Sequence, residues 1–372
     1  MDQKTDIHSD TRDPEAGMPD ELSPRRIRRR LVEFALVGAV IAFLVVALPG
    51  LGNLRREVSH ASAGWLVAAL GLEVLSTLCY VLIFRAVFCP RMSWRLSYQI
   101  GMAEQGANSV LSVSGAGGLA LGAWALRRGG MGTEHIARRT VAFFFLTSLA
   151  NVAMLIVFAL LYAAGVLHHD RNPSLTYAFG VAALLASAIV VLGLPRLRPP
   201  AASPTPGSGR LAKGLWFIRH SLGHGVRDGL QMLRRRPAGI LAGSFGVTAF
   251  DIAVLGVCFK AFGYSPAIGV LVVAYLIGQL GGNLPIPGGI IGLDVGLIGT
   301  FALYHQPLAV TTAAVLVYHA LTLWIPGLLG SVAFVQLRGT LRRETQPAAM
   351  CMPLAEPIET VRLPAGASAR SS

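Results

Sequence analysis

Residues 281–294, GGNLPIPGGIIGLD, lie between the apolar runs 267–280 and 295–303 and cannot continue either run as helix. Pro285 and Pro287 lack an amide proton and fix φ, and the glycines around them favour unwound backbone. In hydrocarbon, freed backbone groups are tolerated only where protein buries them or where they line a wet cavity. A broken segment at membrane depth that carries Asn283 and Asp294 is the kind of place where a transport or lipid-handling site is built.

The rest of the chain supplies the membrane. Of its 372 residues 53% are hydrophobic and 14% charged, and several runs reach the roughly 20 apolar residues that cross a bilayer core. The net charge of +13 does not point to nucleic acid, because the basic residues collect at the ends of apolar runs, as the positive-inside rule describes. The basic cluster RRIRRR at 25–30 precedes the first apolar run, which predicts a cytoplasmic N-terminus and an uncleaved first span. The four cysteines show neither metal spacing nor a disulfide framework. No metal and no cofactor is expected.

Basic flanks set the topology. Residues 1–24 read as a disordered cytoplasmic N-terminus and 344–372 as a disordered cytoplasmic tail, with a polytopic membrane domain over 25–343. Spans are predicted at about 31–51, 65–87, 140–166, 176–194, 239–262 and 308–337, the last kinked at Pro326-Gly327. The semi-apolar segment 98–126 has basic residues on both flanks and is too short for two crossings, so it reads as a re-entrant hairpin. The broken segment 267–304 reads as a second hairpin, entering from the other side. Residues 195–236 form a basic linker and then an amphipathic helix, with Leu215, Trp216, Leu222, Val226 and Leu230 on its apolar side. The predicted fold is therefore an all-α integral membrane protein of about six spans plus two re-entrant hairpins. Its halves, about 31–167 and 174–338, form an inverted repeat of the kind found in many transporters.

Within this frame Asn283 suits a headgroup contact or a brace for unwound carbonyls. Asp294 follows the glycines near the start of a helix, where the dipole favours its charge. Gly288, Gly292 and Gly296 recur every four residues, a spacing for close helix packing. Glu73, Glu104, Asp251 and His319 fall within apolar runs, where a lone charge costs at least about 2.5–3.5 kcal/mol, so each needs a partner or a wet face. Asn151 and Tyr318 are further polar candidates. Arg127 and Arg128 sit where the first hairpin leaves the membrane, placed to anchor it or to meet lipid phosphate. No P-loop, HExxH, GxSxG or Asp-rich metal motif is present, and the reading is of a protein that is not an enzyme.

PIPGGIIGLD at 285–294, VLVYH at 315–319 and LWIPGLLG at 323–330 resemble the flippase-like membrane domain of the lysylphosphatidylglycerol synthase family. SGAGG at 114–118, AWALRR at 123–128 and ARRT at 137–140 extend the resemblance into the first half, so that it spans about 31–343. The resemblance implies movement of aminoacylated or other anionic phospholipids between leaflets, with the soluble synthase unit lacking after residue 343. The lipid-contact candidates are Asn283, Asp294, Pro285, Pro287, Gly288, Gly289, Asn108, Ser114, Arg127, Arg128 and His319. The chain departs from the family pattern at Leu119 and Gly122, where acidic and arginine residues are usual. His319 stands where arginine is common and Asp294 where glutamate is. The expected function is a lipid translocator of the inner membrane, working by passive or proton-coupled exchange rather than by ATP, with Asn283 and Asp294 meeting the headgroup or a coupling proton, membrane lipids as partners and no nucleic acid. The alternative is a non-transporting partner that positions a lipid-modifying or glycosyl-transferring enzyme, docked through 210–236.

Overall fold

The computed structural model describes Arg29, Val32, Val181 and residues 61–111, 116–164, 210–235, 237–282 and 289–343. The predicted spans 31–51 and 176–194, the linker 195–206, both termini, and Ser114, Asn283, Pro285, Pro287 and Gly288 lie outside them. Among the described residues every regular element is a helix: α1 (Ala63–Phe88), α2 (Trp94–Leu111), α3 (Ala116–Arg128), α4 (Thr133–Ala163), α5 (Arg210–Arg235), α6 (Pro237–Ala261), α7 (Ile268–Gly282), α8 (Gly289–Leu303) and α9 (Leu308–Arg343). Four of them, α1, α4, α6 and α9, contain stretches long and apolar enough to cross a membrane. They are apolar around most of their circumference, as membrane helices are, and leave Val67, Phe144, Leu241, Leu328 and Val335 exposed. The described residues thus have the make-up of an all-α, multi-pass membrane protein.

The two hairpins form as the punctuation predicts. Helices α2 and α3 are the limbs of the first, and α7 and α8 those of the second, which leaves the Pro/Gly stretch between α7 and α8. Helix α4 begins at Thr133, two turns before its apolar run, because Glu134, Arg138 and Arg139 in those turns face α5. Helix α9 runs on through Pro326, and Pro326 and Gly327 are both buried.

Small residues set the closest helix crossings, as expected where apolar burial alone does not drive association. Helices α1 and α6 share the most extensive interface. A Cβ at Gly243 would lie 2.7 Å from Ile83 Cβ, and one at Gly246 would lie 2.5 Å from Cys79 Sγ. Ser62 N–H donates to the Ala261 carbonyl at the far end of the same interface. As α1 ascends from 62 through 76 and 79 to 83, its partners on α6 descend from 261 through 251 and 246 to 243, so the two helices are antiparallel. Helices α2 and α9 are antiparallel too: Gly106 meets Gly330, and Thr340 hydrogen-bonds Gln99 at 3.2 Å.

The packing follows the predicted repeat. Exchanging α1 with α6, α2 with α7, α3 with α8 and α4 with α9 turns each helix contact of substance into another one: α2–α9 into α7–α4, α1–α2 into α6–α7, α3–α4 into α8–α9, and α1–α9 into α6–α4. The α1–α6 interface maps onto itself. Since those two helices correspond and run antiparallel, the exchange inverts the chain direction, which is the signature of an inverted repeat.

Helix α5 lies outside the exchange. It runs parallel to the first turns of α4: His220 Nε2 meets Glu134 at 3.1 Å, and the Arg138 guanidinium binds both Asp228 carboxylate oxygens at 2.8 and 3.0 Å. Its seat keeps part of the predicted apolar side: Val226 is buried and Leu230 packs against the same core, joined by Ser221, Gly225 and Gly229, whereas Leu222 faces outward at 39% exposure. A Cβ at Gly225 would touch Val141, so the seat is built of small residues that bring two backbones together. Desolvation first, then the His220 and Arg138 charges, hold the His224 imidazole below its usual value. Cys79 and Cys258 are free, whereas Cys89 is disulfide-bonded, against the expectation of none. Pairing depends on proximity in space, which sequence spacing alone does not supply.

Candidate functional site

The polar residues of the apolar helices gather in two places. The first is a carboxylate-centred network between α1, α6 and α7. Asp251 Oδ1 accepts the Ser76 hydroxyl at 2.5 Å, and Oδ2 accepts the Tyr275 hydroxyl at 2.9 Å. Gln279 Nε2 donates to the Tyr275 oxygen at 2.7 Å. Glu73, one turn before Ser76 on the same side of α1, is 3% exposed and lies within the electrostatic reach of Asp251. One turn before Asp251, the Thr248 hydroxyl donates to Asn151 of α4. Tyr318 on α9 is buried where the fields of Asp251, Glu73, Cys258 and Asp294 overlap.

The second hairpin extends this network. Asp294 Oδ1 lies 2.9 Å from His319 Nδ1, joining α8 to α9. Helix α8 starts at Gly289 with no acidic residue in its first turn, so the expected dipole contact for Asp294 is replaced by a hydrogen-bonding contact with His319. Both side chains are partly buried, at 24% and 16% exposure. Tyr318, buried beside the Asp251 network, is the chain neighbour of His319 on α9. Gly296 performs the packing role its spacing predicts: a Cβ there would lie 3.0 Å from Gly278 Cα across the limbs of the hairpin.

The first hairpin is braced internally. Asn108 Oδ1 accepts the Gly118 N–H at 3.0 Å, tying the end of α2 to the start of α3. Glu104, 5% exposed, is hydrogen-bonded to Tyr80 of α1. Its carboxylate occupies the space a Cβ on Gly122 would fill, 2.6 Å from that position. The departure at Gly122 is thus the room that Glu104 uses. Arg127, exposed, and Arg128, partly buried, end α3 as the sequence predicts.

Of the predicted candidates, Asp294 and His319 come together, while Asn108 and the two arginines belong to the other hairpin. Ser76, Tyr275 and Gln279 are absent from the sequence-derived set. Their signal was present as spacing: Glu73 with Ser76 at i, i+3, and Tyr275 with Gln279 at i, i+4, put each pair on one helix face. Among the described residues no group of three or more His, Cys, Asp or Glu side chains could hold a metal ion.

No curated protein is matched by the chain. A family model described as the lysylphosphatidylglycerol synthase TM region matches residues 31–330, a stretch that includes both hairpins and the whole polar network. The match places the chain among membrane domains related to lipid modification or translocation. The chain belongs to the family of the lysylphosphatidylglycerol synthase transmembrane region.

Proposed function

We propose that the protein moves the headgroup of a phospholipid, or of another lipid-linked group, between the leaflets of the inner membrane. Its membrane domain, 25–343, has both termini in the cytoplasm, and the protein performs no bond chemistry on the lipid. The observation that carries this reading is the Asp294–His319 contact at the foot of the broken segment. It sets a carboxylate–imidazole pair one turn into the helix that follows PIPGG, and the hydrogen-bond string from Gln279 to Asp251 reaches the other limb of that hairpin. Polar groups on both sides of a helix break are what a headgroup needs in order to cross apolar surroundings. Asn283 and the glycines of the break would face the headgroup, and Asn108, Ser114, Arg127 and Arg128 would line the opposite hairpin.

Lipid movement in proteoliposomes tests this reading. Headgroup-labelled phosphatidylglycerol and an aminoacylated derivative are reconstituted with the full chain, and the outer leaflet is quenched. Wild type exposes the inner-leaflet label to quencher, and Asp294→Asn slows that exposure by about tenfold, the scale of losing one charge-assisted contact. If neither lipid moves with folded, inserted wild-type protein, the translocator reading fails and the partner-protein reading replaces it.

A further inference from the structure

The α1–α6 interface holds a feature that lipid contact leaves unexplained. Glu73 is buried in the middle of an apolar helix, and its Oε2 has no hydrogen-bond partner. Asp251, its nearest charged neighbour, already accepts one hydroxyl on each carboxylate oxygen. Neither carboxylate has a Lys, Arg or His within ion-pair distance among the described residues. Two uncompensated negative charges in such surroundings are far costlier than one, because Coulomb repulsion and desolvation act together. A single small cation removes that cost. The described residues supply no cluster of metal-binding side chains there, and Glu73 Oε2 is left open.

We propose that Glu73 and Asp251 together hold one exchangeable proton, and that its uptake and release are linked to lipid movement. The proposal rests on the translocator reading and adds its coupling ion and the place where that ion binds. The proton attaches to a carboxylate oxygen of the pair and leaves from it, so the pair alternates between net charges of one and two.

Linkage follows from the surroundings. The groups that face the pair are neutral or weakly acidic: Ser76 and Cys79 from α1, Cys258 from α6, Tyr275 with Gln279 from α7, and Tyr318 from α9. From α4 comes the Asn151–Thr248 contact, while α2 and α5 bring no ionic group against either carboxylate. The charge of the pair is therefore set by the proton alone. That charge changes how strongly Asp251 holds the Tyr275 hydroxyl. Tyr275 in turn carries Gln279, four residues before Asn283 at the start of the break. The string fixes the position of α7 relative to α6, so the state of the pair reaches the hairpin through position. The pair also sits on the α1–α6 interface, where the two halves of the repeat meet and where alternating access would move one half against the other.

Two measurements on the reconstituted full chain test the proposal separately from lipid transport. Infrared difference spectra between acidic and alkaline buffer report a protonated buried carboxyl directly. A titrating carboxyl band is expected in wild type and should vanish in both Glu73→Gln and Asp251→Asn. In the lipid assay, labelled phosphatidylglycerol should move about tenfold faster with a proton gradient than without one, and Glu73→Gln should move it at one rate under both conditions. Tyr275→Phe keeps both carboxyls, so it should retain the band and lose the gradient response even if the acid-to-amide variants fold poorly. A band absent from wild type, or unchanged in both acid-to-amide variants, overturns the proton site. Acceleration by a sodium gradient in place of a proton gradient overturns it as well, making the pair a metal-cation site. If the band behaves as expected and no lipid moves, the proton site stands and the translocator reading falls.

Discussion

The two hairpins occupy corresponding places in the repeat and are held in opposite ways. The first is braced within and packed tightly on its neighbours: Asn108 ties its limbs, Glu104 fills the space beside Gly122 and bonds Tyr80 of α1, and Gly106 lies against Gly330 of α9 with backbone touching backbone. The second is tied outward by side chains, through Tyr275 to Asp251 and through Asp294 to His319. Helix α2 is packed far more extensively on α9 than its counterpart α7 is on α4. A hairpin held by close backbone packing is hard to shift, because packed small-residue crossings leave no slack. One held by titratable and hydrogen-bonding side chains can rearrange as its partners change charge. The asymmetry teaches that equal topology does not make equal halves: the first hairpin is packed as a wall, and under the proposed function the second would be the responsive one.

The comparison breaks most easily at its tightest point. A Cβ on Gly330 would lie 2.5 Å from Gly106 Cα and closer still to the Met102 carbonyl, so Gly330→Val must push α9 off α2. Overpacking of this kind costs roughly 1–3 kcal/mol and often more where backbone is the obstacle. Thermal unfolding in detergent should show a drop in Tm larger than any polar substitution at either hairpin produces. Gly296→Val offers the matching test on the second hairpin, where Gly278 Cα stands 3.0 Å away within the same hairpin. Its drop should be smaller, since the limbs of one hairpin can part without moving a long span. Equal losses would mean that both hairpins are walls.

Function should divide in the reverse order. His319→Gln keeps a hydrogen-bonding group beside Asp294 and removes the capacity for positive charge. Lipid movement should fall by about tenfold, the scale of one charge-assisted contact, while Tm changes little because the contact is partly exposed. An unchanged rate, measured alongside Asp294→Asn, would leave the ionic contact structural and the second hairpin no more responsive than the first.

Much of this asymmetry was hidden in the sequence, for physical reasons. The element map was legible because proline, glycine and basic flanks act locally: the break after Gly282, the limits of α2–α3 and the start of α6 follow from chain neighbours alone. Inverted topology was legible from charge placement, which reports on the membrane rather than on contacts. Partners were not legible. Glu73, Asp251 and His319 were visibly misplaced among apolar residues, yet what each faces depends on helix rotation and crossing, which one sequence does not encode separately. Asp294 shows the point: its position suggested a helix-start carboxylate, and only the line of α9 brings His319 within 2.9 Å. Gly122 shows it again, since its lost side chain has meaning only beside the Glu104 carboxylate.

The smallest effect gives the sharpest test of the division. Asn108→Ala removes the acceptor for the Gly118 N–H and leaves that donor unmatched in the first turn of α3. A neutral hydrogen bond of this kind contributes about 1 kcal/mol, so Tm should fall slightly. Asn108 is itself exposed, which lets water replace part of the lost contact and keeps the effect at the lower end. If the first hairpin is only a wall, labelled lipid should move at a rate within about twofold of wild type, less than 1 kcal/mol at the transport barrier. A tenfold slowing with an intact Tm would show instead that Asn108 meets the headgroup and that the two hairpins share the work as symmetric partners, with the internal brace a resting contact that the lipid displaces.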